Sequence, residues 1–255
     1  MNPQANILDH PAISGNYLFP QSRRVVDPWY VLVDGAELAC YRRIVDPEAF
    51  TIVHFHGNGE AVSDYVPDLV EVFAERGLNS LFVEYREYGG STGEAQLFRM
   101  LGDGSAVLAA AGVSPTKAIA FGRSIGSLYA IELVHRHKDL AGLIIESGIA
   151  DPAERFLTHA DLSVVGASED DVMIAVRQHF NHKRKLSSYQ GPLLILHTEN
   201  DGLIDISHAQ RNLKWCKSSQ KQLVRFGVGD HNSIMALNRD EYFGAIDRFV
   251  RRLTS

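Results

Sequence analysis

The chain has 255 residues, 45% of them hydrophobic, with 25 Lys and Arg against 31 Asp and Glu for a formal net charge of −6. A chain of this length can bury a core without metal or disulfide staples, and its acidic balance excludes a broad nucleic-acid surface. Cys40 and Cys216 form neither a disulfide framework nor a metal-ligand spacing, which points to a reducing, cytoplasmic setting. The first 20 residues lack a basic segment followed by an apolar run, and no stretch reaches the roughly 20 apolar residues of a membrane span. The histidines are scattered without an HExxH-type pair that would hold a metal.

Residues 1–28, interrupted by Pro3, Pro11, Pro20 and Pro28, read as an irregular N-terminal arm. Two β-rich runs, 29–33 and 37–45, flank Asp34-Gly35, a strong hairpin signal. The pattern then alternates. Strands are expected at 50–55, 80–85, 117–121, 140–146, 192–197 and 221–226. Helices are expected at 63–76, 97–112, 125–137, 206–216 and 240–252, with Val66, Leu69, Val70 and Phe73 forming one apolar face in the first of them. Repeated strand–helix units with continuously apolar strands predict a mostly parallel sheet covered on both faces. Residues 29–255 therefore read as one α/β domain. About 40 residues between the fourth and fifth of these strands are too many for a plain connection. Within them, Ser168 to Asp171 resembles an acidic helix start, Val172, Val176 and Phe180 recur at helical spacing, and His182 to Lys185 suits the helix's C-terminal end. The segment 150–190 reads either as a small lid or as ordinary packing.

The sharpest signal is Gly122-Arg123-Ser124-Ile125-Gly126, lying between a strand and a helix. This is the context of a nucleophile elbow, in which a tight turn lifts a serine hydroxyl out of the backbone at a helix N-terminus. Gly-x-Ser-x-Gly alone is a weak motif. Three others follow predicted strands in order: His54-Phe55-His56-Gly57-Asn58-Gly59, Tyr85-Arg86-Glu87-Tyr88-Gly89-Gly90-Ser91-Thr92-Gly93, and Leu196-His197-Thr198-Glu199-Asn200-Asp201 with Gly229-Asp230-His231-Asn232 after it.

Taken together, these motifs resemble the α/β-hydrolase superfamily over about residues 30–253, and most of all the dienelactone-hydrolase and serine-aminopeptidase-like branch that includes the α/β-hydrolase-domain depalmitoylases. The resemblance implies a serine hydrolase of the carboxylesterase or thioesterase kind, working through an acyl-enzyme intermediate and needing no cofactor. It implies Ser124 as nucleophile, His231 as base and Asp201 as the acid that orients the base, with Glu199, Asp205 and Glu146 as competitors for the acid's place. Asp205 also reads as a helix cap. The oxyanion hole falls to the main-chain amides of Ile125 and Asn58. His54 and His56 read as structural, Arg86 as a salt-bridge residue, and His135, His137 and His208 as helix-surface residues. Where relatives often have Gly after the strand-end His, this chain has Thr198.

The implied partner is a small-molecule ester or thioester. Peptidase or amidase action, C–C hydrolase or haloperoxidase chemistry, and a non-catalytic binding role on the same fold stand as alternatives. No cysteine precedes Cys40, so the lipidated start of the depalmitoylases is not expected, nor is a stable membrane anchor. Substrate, chain length and oligomeric state are not readable from these residues.

Overall fold

The computed structural model describes residues 6–153 and 162–254. Its eight strands are β1 (Trp29–Val33), β2 (Ala36–Arg43), β3 (Thr51–Phe55), β4 (Asn79–Val83), β5 (Ala118–Arg123), β6 (Gly142–Glu146), β7 (Leu193–Thr198) and β8 (Lys221–Phe226). They form one sheet in the order β1-β2-β4-β3-β5-β6-β7-β8. β1, β2 and β4 pair antiparallel, and every pair from β4 to β8 is parallel. This is the mostly parallel, helix-covered α/β sheet expected, with the antiparallel hairpin at one edge.

The main helices are α1 (Asp68–Ala74), α2 (Asp103–Ala110), α3 (Gly126–Arg136), α4 (Glu169–His179), α5 (His182–Ser187), α6 (Ile206–Trp215) and α7 (Arg239–Leu253). Strand residues divide with a period of two between two apolar cores. Ala118, Ala120, Leu143, Ile145, Leu193 and Ile195 face one, packed by α3 and by Val172 and Val176 of α4. Ile119, Phe121, Ile144, Leu194 and Leu196 face the other, packed by Leu69, Val70 and Phe73 of α1 and by Phe243, Ile246 and Phe249 of α7. Both faces are dry, so the central strands read as unbroken apolar runs.

Several elements differ from the sequence expectation. The helix expected at 63–76 is a short 3-10 turn, Val62–Asp64, followed by α1. Pro67 has no N–H to continue a helical ladder, and α1 begins directly after it. The helix expected at 97–112 opens as a 3-10 turn over Arg99–Gly102 before α2. The basic run at 182–185 is not the end of α4, because Asn181 accepts the Arg184 N–H and starts a separate helix. Lys185 of that helix is buried, its Nζ 2.5 Å from Glu132 Oε2 of α3. His208 is also buried rather than on a helix surface, and its Nδ1 accepts the Ala150 N–H at 3.0 Å. The arm is packed as well: Leu8, Ile13 and Leu18 are buried in the first core. The acidic start of α4 is a reciprocal cap between Ser168 and Asp171. Of the segment 150–190, residues 154–161 lie outside the described part.

The fold buries His182 as a neutral ring. His182 Nδ1 donates to Ile149 O at 3.0 Å, and Nε2 is buried without a partner. Burial, helped by the Lys185 charge, lowers its pKa from 6.5 to about 3. Between those values the unfolded chain binds the extra proton, so this group makes stability fall as pH falls. A chemical-denaturation series should therefore show the wild type losing stability more steeply than His182→Gln between pH 6.5 and 4.5, by up to about 1.4 kcal/mol per pH unit. Parallel curves would contradict the buried neutral ring.

Candidate active site

The C-terminal ends of β3, β5, β7 and β8 lie along one edge of the sheet, where the parallel topology gathers loops from separate units. β5 is buried throughout its length, ending in Arg123. Ser124 then adopts a φ of 51°, a left-handed conformation that costs a side-chain-bearing residue about 1–3 kcal/mol. The surrounding backbone leaves no room for neighbouring side chains. A Cβ on Gly122 would sit 2.6 Å from Gly126 O, and one on Gly126 would sit 2.2 Å from Phe55 O. The two glycines thus let α3 start against the end of β3. The turn is pinned on both sides: Ser124 N–H donates to Glu146 O at 2.9 Å, and Ser124 O accepts the Ser127 hydroxyl at 2.6 Å.

The loop after β8 brings His231 to this turn, and the loop after β7 brings Asp201. His231 Nε2 lies 2.9 Å from Ser124 Oγ, and Nδ1 lies 2.8 Å from Asp201 Oδ2. The carboxylate accepts, so Nδ1 carries the proton and Nε2 is left to accept the serine hydroxyl. Asp201 Oδ1 accepts the amides of Leu203 at 3.0 Å and Ile204 at 2.8 Å. Burial alone would raise the Asp201 pKa, but the His231 hydrogen bond and these amides outweigh it and hold the carboxyl below its usual range. His197, whose Nε2 lies 3.5 Å from Asp201 Oδ2, donates to Ile204 O at 2.8 Å. Burial lowers its pKa, so it stands beside the carboxylate as a neutral ring.

The competing acids are otherwise engaged. Glu199 is exposed. Asp205 caps α6 and accepts the Ser207 N–H at 2.9 Å. Glu146 lies 3.4 Å from Arg123 and accepts the Tyr242 hydroxyl at 2.5 Å. Asp201 is the acid that meets the His231 ring.

The loop after β3 carries Asn58. Its side-chain oxygen accepts the Phe19 N–H at 3.0 Å and the Tyr88 hydroxyl at 3.3 Å, anchoring the loop to the arm. The main-chain N–H groups of Asn58 and Ile125 donate to no acceptor among the described residues. Beneath this loop, both nitrogens of His56 face acceptors: Gly57 O at 2.8 Å and Glu84 Oε1 at 2.8 Å. Burial opposes charging this ring, but the Glu84 carboxylate outweighs it and raises the pKa. With an acceptor at each nitrogen, the geometry favours the imidazolium form of His56 under the loop. His54 is the opposite case, a buried ring packed against Tyr65, Phe82 and Phe121 with its pKa driven down by burial. Arg86 forms a bidentate pair with Asp103 at 2.8 Å through both nitrogens and is a structural ion pair. Among the described residues there is no cluster of three His, Cys, Asp or Glu side chains that could hold a metal ion.

The sequence reading overlooked Arg123 and Glu60. The guanidinium of Arg123 reaches Glu60 Oε1 at 2.9 Å, His231 O at 3.1 Å and Asn232 Oδ1 at 3.2 Å. The available signal was a single charge closing an otherwise apolar strand immediately before the serine.

No protein-family model matches the chain. It is similar to the human α/β hydrolase domain-containing protein 17B, 24% identical over 221 residues that cover 85% of this chain and 72% of that protein. The Xenopus tropicalis protein of the same name aligns with the same figures. Among solved structures, an esterase from Pyrococcus furiosus superposes with a TM-score of 0.69 at 16% identity, covering 91% of this chain and 98% of that one. The monoacylglycerol lipase of Paleococcus ferrophilus superposes with a TM-score of 0.67 at 16% identity, covering 85% and 99%. An esterase from a Rhodococcus species gives a TM-score of 0.68 at 19% identity, covering 88% and 98%. The shared sheet topology gives the chain the α/β-hydrolase fold, and along most of its length its sequence is similar to α/β hydrolase domain-containing proteins.

Proposed function

We propose that the chain is a serine hydrolase that cleaves a carboxylic ester or thioester through an acyl-enzyme intermediate. The observation that carries this reading is the His231 ring spanning Ser124 Oγ and Asp201 Oδ2 at 2.9 and 2.8 Å. A serine hydroxyl is a poor nucleophile until a base within hydrogen-bond reach takes its proton. His231 Nε2 accepts that proton as Ser124 Oγ attacks the carbonyl carbon, and the Asp201 carboxylate stabilises the resulting imidazolium. The carbonyl π electrons move onto oxygen, and the amides of Ile125 and Asn58 receive the negative charge. The start of α3 adds the positive end of its dipole there. His231 then protonates the departing alcohol or thiol as its bond to the acyl carbon breaks. The same ring deprotonates the water that attacks the acyl-serine, and it returns the proton to Ser124 Oγ as the acid leaves.

The relatives named above as esterases or as a lipase share the fold and support an ester as the substrate class. A cap role for the segment 150–190 is supported by its position. It joins β6, whose end pins Ser124, to β7, whose end carries Asp201. A cytoplasmic setting rests on the unpaired, buried Cys40 and Cys216.

Turnover of p-nitrophenyl acyl esters tests the mechanism. Ser124→Ala should abolish it. Asp201→Asn, which keeps the side-chain shape but favours the wrong histidine tautomer, should lower kcat by about 10⁴-fold. Turnover by Ser124→Ala equal to the wild type would remove the nucleophile from the account.

The oxyanion assignment concerns the Asn58 amide and not its side chain. Asn58→Ala should therefore lose far less than the roughly 10²–10³-fold that follows removal of an oxyanion donor. A loss of that full size, in steady-state kinetics of a folded variant, would move the role to the side chain.

A further inference from the structure

We propose that Arg123 is a positioning residue. Its guanidinium holds the main chain of His231 and, through Glu60, the Gly57–Asn58 loop, so that base and oxyanion amides keep their spacing about Ser124. The inference rests on the serine-hydrolase reading above and deepens it.

The connections can be followed atom by atom. One guanidinium nitrogen donates to His231 O at 3.1 Å and lies 3.4 Å from Glu146 Oε1. The other donates to Asn232 Oδ1 at 3.2 Å and to Glu60 Oε1 at 2.9 Å. Glu60 Oε2 accepts the Gly57 N–H at 2.5 Å and the Tyr65 hydroxyl at 2.5 Å. Glu146 uses its second oxygen for Tyr242 and its main-chain carbonyl for the Ser124 N–H. The loops that bear His231 and Asn58 and the strand end that pins Ser124 thus meet on one side chain.

Fold stability does not explain this arrangement. Arg123 is 8% exposed, and a buried ion pair is often replaceable by packed apolar residues at no loss of stability. Its position has the same strand parity as Ile119 and Phe121, which face an apolar core. An apolar residue would continue that face. What Arg supplies instead is a rigid planar fork with several donors in fixed directions. One of them ends on a main-chain carbonyl, that of the residue whose ring must meet both Ser124 and Asp201. The sensitivity is steep, since a displacement of about 1 Å in a reacting group can cost 10²-fold.

Lysine keeps the charge but cannot span these partners. Arg123→Met and Arg123→Lys should each lower kcat on a p-nitrophenyl ester by about 10²-fold with KM little changed. The decisive readout is coupling. In a His231→Ala background, where only the oxyanion loop is left to position, adding Arg123→Met should cost the residual rate distinctly less than it costs the wild type. A merely structural role would lower both backgrounds alike and would lower the melting temperature. Arg123→Met with wild-type kcat would overturn the proposal, as would an equal loss in the two backgrounds. If Arg123→Met does not fold, Arg123→Lys carries the same test. Ser124→Ala, run alongside, separates the two ideas. Its full activity would sink the hydrolase reading, whereas its inactivity beside an unimpaired Arg123→Lys would sink only the positioning role.

Discussion

The geometry of the site depends on a single backbone constraint. Ser124 must hold a positive φ at the end of a buried strand, and the chain accepts this because residues 122 and 126 carry no Cβ. The clash distances at both glycines involve main-chain atoms of β3 and α3, which cannot move aside without dismantling the sheet. The strain is offset by packing far from the turn. β5 is the central strand, paired on both sides, with apolar layers above and below it. A rigid core over-determines the turn, and the turn presents the hydroxyl.

Around that turn the chain concentrates charge where burial would ordinarily forbid it. Each buried carboxylate has a distinct compensation. Asp201 meets an imidazole and two amides, Glu84 the His56 ring and the Val62 N–H, and Glu60 and Glu146 the shared Arg123 with one tyrosine hydroxyl each. Low local dielectric makes such networks strong when satisfied and costly when broken. The histidines divide on the same principle. His56 has acceptors at both nitrogens, which favours its charged form, whereas His54, His182 and His197 each have a buried nitrogen without a partner and pKa values lowered by burial. Sequence position alone would not separate them.

How much was legible follows from how local the physics is. Strand ends such as that of 140–146 were readable because the apolar run stops where the sheet stops. The serine turn was readable because it requires glycine at two fixed offsets, and His231 and Asp201 because they follow successive strands in the chain order expected of this superfamily. Helix bounds were less readable, since apolar spacing at 63–76 does not register the missing N–H of Pro67. The burial of His208 and Lys185 was missed because a charged or polar residue on a helix is usually solvated. The Arg123, Glu60 and Glu146 cluster was missed for a related reason: its members come from three separate strand–loop units, and no spacing announces that they converge.

The central claim is that Ser124 is an activated nucleophile, and covalent trapping tests it most directly. A fluorophosphonate ester phosphonylates a serine only when a base takes the hydroxyl proton as fluoride leaves. Peptide mass spectrometry of the treated protein should find one adduct per chain, on Ser124, formed far more slowly in His231→Ala. A folded protein that stays unmodified at Ser124, or that reacts equally fast without His231, would contradict the account.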